Sequence, residues 1–403
     1  MKQLNFDLSI LLVTILIFIC PLHVESQTAN KNASEATRQL LSWMNSLPQR
    51  EHKKLLSGQF CGYPNIQPEF LATTHPWSTF RFAYMDDVFK MSGKYPAIMG
   101  VDYYGNTGGI NEGPGIVTTE HSHLRTLNYN DISGTGVNIN KELIKWWRVG
   151  GLVTINIHSY RPDTHQSNNS GGMLKFGRGG GDSRYPPDER FKEYDLNRIL
   201  PGGADRSNWM AMMDGMASGL AELRDSGVVV IWRPFHEMNR GFWWGKHDGE
   251  LFKAVWQDMF SYFCNKKGLN NLIWAFTGSR EYYPGNDYVD ITGIDVYSKT
   301  ISQQEQLPES LYQSTLKENK LFAVTEFGFG IDSLRDNSIA SYDFQNLLSS
   351  LKSNVPKSIY FLVWSDAWRI GNPNHKNQDK LMNDKWVICR EDIDVKIDRT
   401  VKK

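Results

Sequence analysis

Short runs of apolar residues alternate along the chain with longer stretches whose apolar positions recur every three or four residues. The runs fall at 54–61 (KLLSGQFC), 95–104 (YPAIMGVDYY), 151–159 (GLVTINIHS), 227–237 (GVVVIWRPFHE), 271–277 (NLIWAFT), 288–297 (YVDITGIDVY), 321–327 (LFAVTEF) and 358–366 (SIYFLVWSD). Continuous rather than alternating apolar character marks strands buried on both faces, as in a parallel sheet. Helical spacing is predicted at 79–91 (Phe82, Met85, Val88, Phe89), 141–149 (Leu143, Ile144, Trp146, Trp147) and 207–225 (Met210, Met213, Met216, Leu220, Leu223). It recurs at 249–264 (Leu251, Phe252, Val255, Trp256, Met259, Phe260), 310–318 and 342–351. The methionines of 207–225 read as core-facing, not as a metal box. A leading arm, 27–53, carries a helix through Leu40, Leu41, Trp43 and Met44, with Asn32 or Ser34 as its cap. The tail from 369 mixes loop with a short terminal segment.

Eight apolar strands separated by helices predict a single (β/α)8 barrel. The competing fold is an open doubly wound sheet that binds a nucleotide. It lacks support, because the first strand–helix turn has no GxGxxG and no GxxxxGK[ST] occurs anywhere. The longest irregular stretch, about 160–205, is rich in Gly, Asn, Asp, Pro and Arg and reads as a cleft wall over the strand ends.

Polar residues gather where the runs stop. Val229, Val230 and Ile231 lead into Trp232 and Arg233, then Pro234, which has no N–H to give a ladder and so ends the strand. His236 and Glu237 follow at once. Glu326 closes the seventh run in the same way, and Asp102, His158, Tyr297 and Trp364 close others. In such barrels the carboxyl ends of the strands form the active-site face, whereas core packing gives no reason for carboxylates and imidazoles to end apolar strands. Two carboxyls among aromatic residues fit glycosidic bond cleavage, which needs a proton on the leaving oxygen and relief of positive charge at the anomeric carbon. The fourth and seventh strands face each other across an eight-membered ring. A carboxyl separation of about 5–5.5 Å there would make the reaction a retaining one.

Charge and composition narrow the partners. Lys and Arg number 44, as do Asp and Glu, so nothing draws the chain to nucleic acid or to an acidic membrane surface. The 13 Trp, 17 Tyr and 20 Phe exceed what a core requires, which leaves some to line a sugar cleft. Lys2 precedes an apolar run from Ser9 to Cys20 that is too short to span a membrane, and small Ser26 stands before a cleavage point. Residues 1–26 therefore read as a signal peptide and 27–403 as one secreted catalytic domain, with an uncleaved anchor as the alternative. Cys20 leaves with the signal; Cys61, Cys264 and Cys389 permit at most one disulfide, of open pairing. Asn32-Ala-Ser34 and Asn168-Asn-Ser170 fit the N-glycosylation pattern. His121 and His123 form an HxH pair away from any strand end and read as surface loop. His236-Glu237 is not HExxH, because Arg240 stands four after His236. Two rival classes remain: a metal-dependent barrel hydrolase built on His158, His236 and Asp102, and a glycan-binding barrel without catalysis.

The stretch Trp232-Arg233-Pro234-Phe235-His236-Glu237-Met238-Asn239, followed by Phe242-Trp243-Trp244-Gly245, resembles the acid/base motif of glycoside hydrolase family 26, mostly β-mannanases. Gly100-Val101-Asp102-Tyr103, His158, Pro284-Gly285, Gly293-Ile294-Asp295-Val296-Tyr297, Thr325-Glu326-Phe327-Gly328, Trp364 and Met382-Asn383-Asp384 match in order, over roughly residues 50–395. Arg240 departs from the pattern, which has Gly directly after the Asn; this leaves the tryptophan assignment open by one position. The resemblance implies a retaining endo-β-1,4-mannanase for β-mannan, galactomannan or glucomannan. Mixed-linkage β-glucanase and β-1,3-xylanase are the alternatives within the family. It implies no metal or cofactor and a β-linked glycan as partner; separately, a monomer is expected. Glu237 would be the general acid and then base, with a raised pKa, and Glu326 the nucleophile, hydrogen-bonded by Tyr297. His236 would orient the acid or touch the sugar, and His158 would bind the sugar at the cleavage subsite. Trp364 would form the floor and Trp243 or Trp244 a stacking wall; Asp102 joins the substrate-binding set, and Arg233 would support the carboxylates.

Overall fold

The computed structural model describes residues 28–61, 80–103, 139–157, 162, 194–238, 242–245, 248–298, 309–330 and 341–400. Its main elements, in chain order, are α1 (Glu35–Ser46), β1 (Leu55–Phe60), α2 (Phe80–Ser92), β2 (Ile98–Asp102), α3 (Ile139–Arg148), β3 (Leu152–Asn156), α4 (Arg206–Asp225), β4 (Val230–Arg233), α5 (Gly249–Ser261), β5 (Leu272–Thr277), β6 (Ile291–Tyr297), α6 (Glu309–Leu316), β7 (Leu321–Gly328), α7 (Phe344–Asn354), β8 (Ser358–Val363), α8 (Gln378–Met382) and β9 (Val387–Ile388). Strands β1 to β8 pair in sequence order, each parallel to the next, and β8 returns to β1. The ring is closed, as the eight runs predict. Closure leaves no sheet edge within it, and helices cover it outside, so the apolar runs are buried along their length.

Register is even between β2 and β3, from Ile98↔Leu152 to Asp102↔Asn156. Between β6 and β7 it breaks. Ile294 pairs with Val324, but Asp295 pairs with Glu326, so Thr325 is an extra residue on β7. A bulge of this kind re-aims side chains and is common beside active sites. Gly293 makes room for it: a Cβ there would stand 2.5 Å from Thr325 Cγ2.

Several strand limits differ from the sequence expectation. The second strand starts at Ile98 rather than Tyr95, because Pro96 is engaged in an isolated antiparallel bridge with Cys389. The third stops at Asn156 rather than Ser159. The fourth ends at Arg233, directly before Pro234, as the missing N–H requires. The tail holds an unexpected ninth strand, which lies along the start of β1 through Leu55↔Val387 and Leu56↔Ile388. Two residues carry no readable period.

Both ends of the described chain cover the amino ends of the strands. Ser34, not Asn32, caps α1: its Oγ accepts from Thr37 N at 3.2 Å, while Asn32 N donates to Asn30 Oδ1. The Ala29 N–H donates to Asp290 Oδ1 at 2.7 Å, and Ser34 N–H donates to the Asn270 carbonyl at 2.7 Å. From the other end, Arg390 lies over the rings of Tyr95 and Trp146, and Arg399 donates to the carbonyls of Trp147 and Gly151. Met213 and Met216 of α4 are buried as expected, but Met212 takes an inward place and Met210 is half-buried. Most tryptophans serve the core; Trp146, Trp147, Trp209, Trp256 and Trp274 are almost wholly buried. Cys61, Cys264 and Cys389 are buried, and no disulfide joins any two of them. Among the described residues, no helix is long and apolar enough to cross a membrane.

Candidate active site

The site grows from the carboxyl ends of β4, β6 and β7. Arg233, the last residue of β4, has a side chain only 2% exposed and lies between two buried carboxylates. Its Nη1 donates to Asp295 Oδ2 at 2.9 Å, and its Nη2 donates to Glu326 Oε1. The other oxygen of Glu326 accepts from the Tyr297 hydroxyl at 2.7 Å. His236 Nε2 lies 3.7 Å from Glu326 Oε1. The glutamate therefore meets a cation on one oxygen and a hydroxyl hydrogen on the other, both charge-assisted contacts of the stronger kind.

Asp295 belongs to this centre as well, although it ends no strand. It stands two residues before Tyr297, where the period of a strand puts both on one face; an acid inside an apolar run was the available signal. The bulge then sets it opposite Glu326. Thr325 Oγ1 lies 2.7 Å from Asp295 Oδ1 and 3.0 Å from the Thr277 hydroxyl. Burial pushes the Asp295 carboxyl well above its usual range. Arg233 pulls it back, and the negative charges of Glu326 and Glu237 push it further up. Burial alone would weaken the charge on Arg233, but Asp295 and Glu326 outweigh it and hold the guanidinium protonated. His236, 3.7 Å from Glu326, puts the turn that carries Glu237 on the same face of the barrel as Glu326.

Glu237 is delivered by a tight turn after β4. Phe235 and Glu237 have φ of 51° and 52°, the left-handed region that non-glycine residues rarely occupy. Each such residue costs on the order of 1–3 kcal/mol and persists only where packing fixes it. Here Phe235 is wedged among Trp209, Trp244 and Phe252, and the Trp244 indole N–H donates to the His236 carbonyl at 2.8 Å. The result is a buried His236 and a half-buried Glu237 side by side at the mouth.

Trp364 stacks flat on Phe60 at 3.8 Å and meets Tyr297 edge-on at 6.4 Å, which puts it beside the Glu326 clamp. The expected division of Trp243 and Trp244 into one core and one wall residue is not what burial shows, since both are core. Trp243 is 4% exposed and packs against Tyr194 and Trp209; Trp244 is 0% exposed and stacks on Phe242 at 4.5 Å. Asp102 ends β2 and is fully buried. His158, His121, His123, Asn168 and Arg240 lie outside the described residues, while Asn32 of the first glycosylation pattern is exposed. One further residue, half-buried Trp368, also touches Tyr297.

Donor atoms of His236, Asp295 and Glu326 lie within 4.8 Å of one another, a grouping able to hold a cation. The positive charge those carboxylates attract already comes from Arg233, which is bonded to both. A metal there would sit beside a guanidinium. The trio also lacks Asp102, on which the metal-dependent alternative relied.

The profile of Glycosyl hydrolase family 26 matches residues 29–392. The mannan endo-1,4-beta-mannosidase A and B of Caldalkalibacillus mannanilyticus is 31% identical over 384 residues, which cover 91% of this chain and 63% of that protein. The mannan endo-1,4-beta-mannosidase of Bacillus subtilis strain 168 is 29% identical over 379 residues, 90% of this chain and 88% of the relative. A solved Bacillus subtilis mannanase superposes with a TM-score of 0.64 at 28% identity, covering 90% of this chain and 95% of that one. A β-mannanase from a symbiotic protist of the termite Reticulitermes speratus, solved with a gluco-manno-oligosaccharide, has the same fold with a TM-score of 0.66 at 22% identity, over 92% and 98% of the two chains.

Proposed function

The chain belongs to glycosyl hydrolase family 26, and from that membership and the geometry of the site we propose that it is a secreted, retaining endo-β-1,4-mannanase. One observation carries the reading: Glu326 is clamped by Arg233 and Tyr297 directly beside the His236–Glu237 turn. In the first step Glu237 gives its proton to the glycosidic oxygen as that oxygen leaves, and a Glu326 oxygen bonds to the anomeric carbon. In the second, Glu237 takes a proton from water, the water oxygen replaces Glu326 at that carbon, and both carboxyls are restored. Two inversions retain configuration.

Each neighbour has a task in this scheme. Tyr297 and Arg233 keep the Glu326 oxygens in line. As Glu326 becomes an ester and loses its charge, Arg233 remains matched by Asp295. His236 is packed too tightly to swing and holds the turn that presents Glu237. Mannan and glucomannan are favoured as substrates because the named relatives are mannosidases of that linkage and one related structure holds a gluco-manno-oligosaccharide. Secretion rests on the positive and apolar leader before residue 27.

The test is reducing-sugar release from mannan, galactomannan, glucomannan, lichenan and β-1,3-xylan, run side by side with Glu326→Gln. The expected result is rapid release of mixed oligosaccharides from mannan and glucomannan, and near-complete loss in the variant. Faster release from lichenan or xylan would move the substrate within the family. Oligosaccharide binding without hydrolysis would replace the enzyme with a binding barrel.

A further inference from the structure

Trp368 ends the 3-10 turn Asp366–Trp368 that follows β8. Its indole N–H donates to the Phe329 carbonyl oxygen at 2.7 Å, and Phe329 comes directly after the last residue of β7. The indole meets the Tyr297 ring edge-on, with centroids 5.6 Å apart and planes at 70°. Tyr297 also meets Trp364 edge-on, at 78°. A third surface is the backbone of Gly328, the register partner of Tyr297. A Cβ at Gly328 would come 2.5 Å from Tyr297 Cδ1, 2.6 Å from its Cε1, and 3.2 Å from Trp368 Cε2. The tyrosine ring thus lies close over a glycine, between two tryptophans.

Enclosure of this kind has a consequence at the far end of the ring. The Tyr297 hydroxyl donates to Glu326 Oε2 at 2.7 Å, and a hydrogen bond weakens steeply with misalignment. A tilt of the ring about its Cβ moves the hydroxyl more than any other ring atom. Trp368 opposes that tilt, and it is itself tied to the strand that carries Glu326. The core side chains form two buried clusters, and Trp368 packs against both, so it does not follow the tyrosine freely.

We infer that Trp368 is a positioning residue for Glu326, acting through Tyr297: its ring edge and its bond to Phe329 fix the phenol that orients the carboxylate. This rests on the reading of Glu326 as nucleophile. The test is a double-mutant cycle on a β-1,4-mannooligosaccharide, with kcat, KM and thermal unfolding measured for Trp368→Leu, Trp368→Phe, Tyr297→Phe and the combined variants. Tyr297→Phe and Trp368→Leu should each lower kcat on the order of tenfold to a hundredfold, the scale of a misplaced reacting group. KM should stay within about twofold, and adding Trp368→Leu to Tyr297→Phe should cost no more than about another twofold, since both remove one contact. Trp368→Phe keeps a ring but loses the indole N–H, and should fall between wild type and Trp368→Leu.

Multiplying losses in the double variant would overturn the inference, as would a raised KM at unchanged kcat, the mark of direct sugar contact. If Trp368→Leu does not fold, Trp368→Phe in the two backgrounds runs the same cycle. An inert wild type, or a Glu326→Gln variant with full kcat, would instead bring down the functional reading and the inference with it.

Discussion

A single guanidinium at Arg233 stands between Asp295 and Glu326, both of which are buried. Removing it leaves two carboxylates without their cation. Arg233→Met should therefore cost about 3–5 kcal/mol of stability, the usual penalty for stripping one partner from a buried ion pair, and lower kcat by at least roughly a hundredfold. Arg233→Lys keeps the charge but not the fork that reaches both acids. It should recover much of the stability and little of the rate. Urea unfolding with parallel kinetics checks both, and a Lys variant with wild-type kcat would contradict the role. At this scale the convergence was legible: strand ends and motif mark Arg233, His236, Tyr297 and Glu326, which the structure brings to one centre, with Glu237 on the turn beside it. Asp295 lies inside a matched segment without a role of its own, because an acid in mid-run looks like a structural exception until its partners are seen. The burial of both Trp243 and Trp244 depends on which neighbours close around them, and sequence does not state that.

The strands that hold these residues were legible because both faces of each are buried, which makes the apolar runs continuous. Their junctions were less so. The extra residue Thr325 on β7 has no compositional mark, yet it sets Glu326 across from Asp295. Gly293 is its counterpart. Gly293→Ala would drive a methyl into Thr325 Cγ2 at 2.5 Å, with the Ala323 carbonyl oxygen at 3.1 Å, so the bulge must shift. The expected outcome is a loss of about 1–3 kcal/mol with a fall in kcat of roughly tenfold or more, read by thermal unfolding and initial rates. Unchanged kcat in a destabilised protein would mean that the bulge does not position Glu326. The turn after β4 was half legible: Pro234 announced the end of the strand, but nothing in the letters announced left-handed backbone at Phe235 and Glu237.

Across the whole molecule, repetition of strand and helix made the closed barrel legible, while the way the two ends of the described chain seal it was not. One seal is the arm pinned by Asp290, whose oxygens accept from the N–H groups of Ala29 and Trp274 at 2.7 and 2.8 Å. Burial lifts this carboxyl to about 6, while those two N–H groups and the charge of Lys320 pull it down without cancelling the rise. Between about pH 4, the ordinary aspartate range, and about 6, the folded protein keeps a proton that the unfolded chain has released. The stability due to Asp290 is thus full below that window and is lost as pH rises through it, by about 3 kcal/mol. Urea midpoints of wild type and Asp290→Asn, taken from pH 4 to 7, should show wild type falling relative to the variant by that order. A constant difference across the range would contradict the assignment.

In the reaction proposed for this chain, Glu326 bonds to an anomeric carbon while Glu237 handles the proton. Incubation with a 2-deoxy-2-fluoro-β-mannosyl fluoride, which forms the glycosyl-enzyme but turns over slowly, followed by peptide mass mapping, tests this most directly. One added fluoromannosyl group is expected on the peptide that contains Glu326, and none in Glu326→Gln. Labelling at Glu237 instead, or no adduct from an enzyme that hydrolyses mannan, would contradict it.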